Sequence, residues 1–262
     1  MIKSVRVIGD GGAFDAFKVN SSFLIETDDG SILYDCGYNV FQELLRIEHI
    51  EDEKIIDKIN TIIISHDDDD HMGSVKSFIF YKYFVKNNPS IKVFCPKHMI
   101  DMFIAMNKEM KGSVEVHANI VRVQCITYLR DRIDTKNIRM EEFKGIHHTE
   151  AYGIIVRDNF GSVVAISGDT KAQESFENRL RDIARENGSD GVSDMLIFHD
   201  YSEWNAPSRQ VHACESDYEV EFSEEFKRTA KKYHNSSVDL AGRLYKLKDG
   251  IWVDVARKGI KF

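Results

Sequence analysis

The run Ser65-His66-Asp67-Asp68-Asp69-Asp70-His71, directly after the apolar Ile62-Ile63-Ile64, constrains this chain more than any other stretch. Two histidines and a packed carboxylate cluster at the end of a strand are costly to place for structural reasons alone. Buried charges of one sign repel and need paired partners or a metal. A divalent cation relieves that repulsion, because imidazole nitrogen and carboxylate oxygen are standard ligands for zinc and its neighbours. Function is to be sought here.

The rest of the chain sets mild bounds. With 262 residues, 42% hydrophobic and 30% charged, it has the balance of a soluble globular protein with a substantial core. No apolar run approaches the roughly 20 residues that span a bilayer, and Met1–Val7 reads as a first strand rather than a signal peptide. Cys36, Cys95, Cys125 and Cys214 are widely spaced without a CxxC pair, as expected of reduced thiols in a cytoplasm. The net charge of −8 argues against a surface for long nucleic acids. Residues 227–262, however, carry ten Lys and Arg against three Asp. They read as a solvated basic face or, more sharply, as attraction for a phosphate-bearing substrate.

Strands and helices alternate without a linker, so residues 1–262 are expected to form a single α/β domain of two sheets wrapped by helices. Val5–Ile8, Ser22–Glu26, Ser31–Tyr34, Thr61–Ser65, Ile91–Cys95, Val121–Tyr128, Ile138–Phe143, Ala151–Val156, Ser162–Ser167, Met195–Phe198 and Ile251–Val255 read as strands. Helices are expected over Phe41–Ile47, Met72–Val85, Pro96–Met110, Phe176–Arg185 and Glu219–Tyr233. Gly9-Asp10-Gly11-Gly12 lacks dinucleotide-loop spacing and precedes a hairpin, so it reads as a turn.

Histidines and acids recur at later strand ends in an order that would complete a metal site. His147-His148 follows the strand at 138–143, Asp169 follows Val163–Gly168, His199 follows Met195–Phe198, and His212 and His234 lie beyond. Of ten histidines, only His49, His98 and His117 fall outside the pattern.

Ser65-His66-x-Asp68-x-Asp70-His71-x-Gly73 resembles the HxHxDH signature of the metallo-β-lactamase superfamily, with Asp68 in place of the middle histidine. Ile8–Phe14, Asn20-Ser21-Ser22 and Leu33–Gly37 are similar to the N-terminal signature of its RNase Z-like phosphodiesterase branch. Later segments continue the resemblance to about residue 237: His147–Gly153, Ser167–Thr170, Ile197–Asp200, Val211–Ala213, and His234 with Ser236. The resemblance implies an αββα sandwich of two mixed sheets flanked by helices. It also implies a homodimer and two divalent metal ions. His66, Asp68, His147 and Asp169 would hold one metal; Asp70, His71, the bridging Asp169 and His234 would hold the other. A water shared by the metals would attack the phosphodiester, with Asp70 counted among the catalytic residues. His212 would give a proton to the leaving alkoxide. Asp35 would orient a ligand from behind, and His148 and His199 take structural or supporting roles.

Two departures refine that picture. The Asp68 carboxylate makes the first site harder, shifting preference from zinc toward manganese, iron or magnesium. Zinc or manganese is the leading expectation, with iron or magnesium as alternatives. Secondly, 21 residues separate His147 from Asp169, room for a hairpin but not for the protruding arm of tRNA-processing members. Armless members include cyclic-nucleotide phosphodiesterases, among them phage proteins that degrade Pycsar signals. The expected substrate is therefore a small nucleotide such as a 3′,5′-cyclic nucleotide, with Trp204, Tyr201 and Tyr218 available to stack on a base. An RNase Z-like endoribonuclease, a lactone or thioester hydrolase, and a non-enzymatic nucleotide- or metal-binding module are the alternatives.

Overall fold

The structure, a computed structural model, describes residues 1–86, 91–111, 121–126, 137–203, 211–237 and 239–255. The apolar runs form strands because β-branched residues pack well on a pleated, buried surface. In order, these are β1 (Ile2–Gly9), β2 (Ser22–Thr27), β3 (Gly30–Tyr34), β4 (Ile59–Ile63), β5 (Ile91–Cys95), β6 (Val121–Cys125), β7 (Ile138–Lys144), β8 (Tyr152–Asp158), β9 (Val163–Ile166), β10 (Leu196–Ser202), β11 (Lys231–Asn235), β12 (Leu244–Lys248) and β13 (Ile251–Asp254). The helices are α1 (Val40–Glu51), α2 (Ile55–Lys58), α3 (Asp69–Met72), α4 (Val75–Phe84), α5 (Ile100–Lys111), α6 (Glu174–Glu186), α7 (Glu215–Glu221) and α8 (Glu224–Thr229).

Two mixed sheets result. One runs β13-β12-β1-β2-β3-β4-β5-β6, the other β11-β10-β9-β8-β7. Side-chain alternation sorts each strand between two layers. Phe23 and Ile25 join Tyr34, Val156, Phe198 and Tyr233 between the sheets. Leu24 faces the other way, with Leu33 and Ile62, against Leu44, Phe78 and Phe103 of the helical layer. Ile155, Ala165 and Ile197 do the same on the second sheet, against Phe176, Leu180 and Phe226. This is the expected αββα sandwich. All four cysteines are buried and free. Among the described residues, no helix is long and apolar enough to cross a membrane.

The two segments with the richest chemistry come together through backbone. Cys36 N–H donates to His71 C=O at 2.7 Å, and Asp35 N–H to Ile63 C=O at 2.8 Å. Gly37 sits so close to α3 that a Cβ there would lie 1.9 Å from Asp70 O.

One stretch departs from expectation. The helix expected over Glu219–Tyr233 is two short helices followed by a strand. Ser223 breaks it, its Oγ accepting from Phe226 N–H at 3.2 Å and so capping α8. Lys231–Asn235 then pair in parallel with Phe198–Ser202. Phe222 and Phe226 are at helical spacing and carried the pattern across the break. The strand β12 pairs with β1; its alternation of Leu, Tyr and Lys is short, and the sequence reading passed over it.

Replacing Gly37 by Ala should therefore push α3 off its seat and cost about 1–3 kcal/mol, as overpacking does. Denaturant unfolding measures this; a midpoint equal to that of the unmodified protein would count against the close approach.

Candidate metal centre

In α/β sheets, strand C-termini are where loops can converge on a ligand. Here the loops leaving β3, β4, β7, β9 and β10 and the last residues of β11 meet along the shared edge of the two sheets. Asp169, in the turn after β9, is the hub. Its Oδ2 lies 3.2 Å from His71 Nε2, 3.5 Å from His234 Nε2 and 3.8 Å from His212 Nδ1. His66 Nε2 and His147 Nε2 are each 4.0 Å away. The residue before it, Gly168, has φ 66°, and a Cβ there would meet the Tyr34 hydroxyl at 2.7 Å. Glycine alone fits that turn.

Four of these rings are held from behind through Nδ1. His71 Nδ1 is 2.8 Å from Asp35 Oδ2, and His66 Nδ1 is 2.8 Å from Ser65 Oγ. His234 Nδ1 meets Ser21 Oγ and His147 Nδ1 meets Thr149 Oγ1, both at 3.3 Å. Asp35 also accepts from Ser65 N–H at 2.7 Å and Ser65 O–H at 2.8 Å. The four Nε2 atoms are thereby turned inward. His66 Nε2, His71 Nε2 and Asp169 Oδ1 are buried with no hydrogen-bond partner among the described residues. Rings fixed at one nitrogen and bare at the other are how metal-binding histidines are built. Asp35 and His234 also hold φ at 59° and 80°, a backbone strain that clusters at functional sites.

The donors fall into overlapping sets within 4.8 Å: His66 with Asp68 and His147, His66 with His71 and Asp169, and Asp70 with His71 and His234. These sets contain all seven residues expected to hold two metals. Asp68 Oδ2 is 3.3 Å from His66 Nε2 and 3.6 Å from His148 Nε2, on the open side of the cluster. Asp70 Oδ2 is 3.4 Å from His71 Nε2 and 4.0 Å from His234 Nε2. Their neighbours in the acidic run point elsewhere. Asp67 lies 3.4 Å from exposed His98, and Asp69 accepts from the Tyr38 hydroxyl at 2.7 Å.

Asp169, Asp200, His212 and His234 make a further set. Within it, His212 Nδ1 is taken by Asp200 Oδ2 at 2.7 Å, and Asp200 also accepts from Thr170 N–H at 2.9 Å. Sequence reasoning named His199 of this segment and passed over Asp200. The signal was the period of two along β10. Ile197, His199 and Tyr201 face the outer helices, whereas Phe198 and Asp200 face inward. His199 is enclosed by Phe176, Tyr218, Phe222 and Phe226. Tyr201 and Tyr218 are buried in the same outer core, which leaves neither free to stack on a base. Trp204 lies outside the described residues. His148 is exposed at the rim.

Charges in the cluster are strongly biased. Burial opposes ionisation of Asp169, but His234, His71 and His212 hold it well below the usual carboxylate range. Burial likewise opposes charge on His71, yet Asp169, Asp35 and Asp70 raise it well above an ordinary imidazole. Partial burial opposes charge on His212, but Asp200 and then Asp169 push it up to about 9. Asp68 is held down to about 2, its burial outweighed by His66, His148 and His147. Burial lowers His147 to about 4. Without metal, protons on His71 and His212 thus offset part of the carboxylate charge.

Two mixed sheets with such a donor cluster at their common edge define a metal-dependent hydrolase of the metallo-β-lactamase fold. Solved structures agree on the fold. The metallo-β-lactamase fold protein YhfI from Bacillus subtilis superposes with a TM-score of 0.64 at 18% identity, over 90% of this chain and 87% of that one. The short form of human tRNase Z gives 0.64 at 16% identity, over 89% and 93%. The family described as Anti-Pycsar protein Apyc1 matches residues 3–241. An Anti-Pycsar protein Apyc1 of Bacillus phage BSP38 is 30% identical over 212 residues, 75% of each chain. The chain belongs to the Anti-Pycsar Apyc1 family.

A metal ligated by His71 must displace the proton that its neighbours hold there. Affinity for Zn²⁺ or Mn²⁺ should therefore tighten as pH rises toward the raised His71 value, by about tenfold per unit for each proton displaced. Calorimetric titration in buffers of different ionisation enthalpy counts those protons. An affinity that stays flat between mildly acidic and mildly alkaline pH would contradict this charge balance.

Proposed function

We propose that this protein hydrolyses the 3′,5′-cyclic phosphodiester of a nucleotide to the linear monophosphate, with two divalent cations held at the sheet edge. The observation that carries the reading is the set of four imidazoles, each fixed through Nδ1 and aimed by Nε2 at the Asp169 carboxylate. His66, Asp68, His147 and Asp169 would hold one cation; Asp70, His71, Asp169 and His234 would hold the other. Bound there, such a pair supplies Lewis-acid stabilisation of phosphate charge and a water acidified toward neutral pH.

The chain supplies the rest. Hydrolysis forms a bond from water oxygen to phosphorus and breaks one P–O ester bond, so the departing oxygen needs a proton. His212 is suited to give it. It borders Asp169 at 3.8 Å, and Asp200 keeps its ring charged at neutral pH and fixed in direction. Asp35 and Ser65 keep His71 and His66 from turning. The Asp68 carboxylate, a harder ligand than imidazole, favours manganese alongside zinc.

Substrate size follows from the connection between His147 and Asp169. β8 and β9 are joined by a tight turn in which Asp158 Oδ1 accepts from Phe160 N–H at 2.9 Å and Ser162 N–H at 3.1 Å. No arm projects between them to grip a folded RNA. The name of the phage relative, an anti-Pycsar protein, points to a cyclic nucleotide signal as that protein's concern, and we extend it to this one. A homodimer and a single domain over the whole chain belong to the same reading, with light scattering as the check on assembly.

Purified protein with Mn²⁺ or Zn²⁺, given a panel of 3′,5′-cyclic mononucleotides, should release linear monophosphates. Chelation should stop the reaction and metal restore it. His212→Ala should lower kcat by roughly 10²–10⁴-fold with metal content unchanged. Absence of turnover across the panel with either metal would overturn the proposal, and turnover of lactone or thioester substrates instead would move the activity to that class.

A further inference from the structure

Most of the described Lys and Arg near the C-terminus are not at the metal edge. Five of them, Lys227, Arg228, Lys231, Lys232 and Arg243, line a cleft of about 640 Å³ at the opposite ends of β10 and β11, with Asp194 and Asp254 as its only acids among the described lining residues. Leu196 lines it and Asp200 belongs to the metal edge. Four residues of extended strand, roughly 13 Å at about 3.3 Å each, separate the two. The body of the inter-sheet core, Phe198 against Tyr245, lies between them.

Not every cation is available. Lys232 Nζ is 2.6 Å from Glu215 and sits over Tyr201 on the outer face. Lys227 pairs with Glu219 and Glu224 at 3.1 and 2.9 Å, and Arg243 with Asp254 at 2.7 Å. Lys231 and Arg228 differ. Among the described residues, no carboxylate lies within ion-pair distance of either. Lys231 Nζ stands 5.5 Å over the Tyr245 ring, and its hydrogen bond among the described residues is a long 3.5 Å contact with Thr229 C=O. A largely desolvated ammonium without a carboxylate partner is costly, and an anion relieves that cost.

The cleft also has an aromatic side. Trp252, half-buried against the inter-sheet core, lines it beside the buried Tyr245 and Leu240. A half-buried indole and two cations without carboxylate partners ask for a ligand that is part flat ring and part anion. We infer that this cleft is a second binding site, separate from the metal edge, for a nucleoside monophosphate: phosphate on Lys231 and Arg228, base against the half-buried Trp252. Inorganic phosphate alone would leave the aromatic wall unused. The volume lies within the usual range for small-ligand sites.

Trp252 is one of two tryptophans in the chain, so Trp204→Phe makes it the sole reporter. Metal-loaded Trp204→Phe protein titrated with 5′-AMP should show a saturable fluorescence change. Arg228→Ser, at an exposed position, and Lys231→Met should each weaken the midpoint about tenfold, the loss of one charged contact. Asp169→Asn should leave the midpoint unchanged, because the metal edge is elsewhere. A midpoint indifferent to Arg228→Ser, or one lost with Asp169→Asn, would overturn the inference. So would sodium phosphate matching 5′-AMP, or no change up to millimolar nucleotide.

Discussion

The like-charge repulsion centred on Asp169 Oδ2 is the constraint on which this structure depends. Carboxylates from the acidic run and from the end of β9 cannot share a dry edge unless positive charge lies between them. Five imidazoles surround that one oxygen within 4.0 Å, and they come from four separate segments of chain. Each segment is delivered by a strand end, and the strands are held by three layers of apolar packing. The sandwich positions the loops, and the loops have no reason to converge without the charge they neutralise.

Much of this was legible in the residues, for a physical reason. Long β-branched runs such as Ile62-Ile63-Ile64 and Val163-Val164-Ala165-Ile166 announce buried strands, and polar residues at their ends announce where chemistry is exposed. The ligand candidates and Asp35 could therefore be named before their spatial relation was known. What failed to show was anything decided by orientation across a single residue. His199 and Asp200 are adjacent, and only the inward face of β10 decides that the aspartate reaches His212. The stretch from Glu219 to Tyr233 failed differently. Its phenylalanines repeat at helical spacing across Ser223, so the strand that carries His234 was hidden inside an apparent helix, although His234 itself was named.

The basic C-terminal region illustrates a further limit of composition. Its charges read as a solvated face or as an attraction for a phosphate-bearing substrate, yet β11 carries Lys231 at one end and His234 near the other. A strand of five residues thus serves two polar environments on opposite rims of the core. Sequence proximity to a ligand residue says little when the chain between is extended.

The donor sets draw on both sheets: His66, Asp68, Asp70 and His71 follow β4 of one, while His147 and Asp169 follow β7 and β9 of the other and His234 lies in its β11. Any ion bound there rivets the two halves of the sandwich along one edge. Binding energy of that kind is shared with folding, so the metal is also a structural seam. A cell short of the right metal would then lose this protein by clearance of an unfastened fold, as well as by silence of its chemistry.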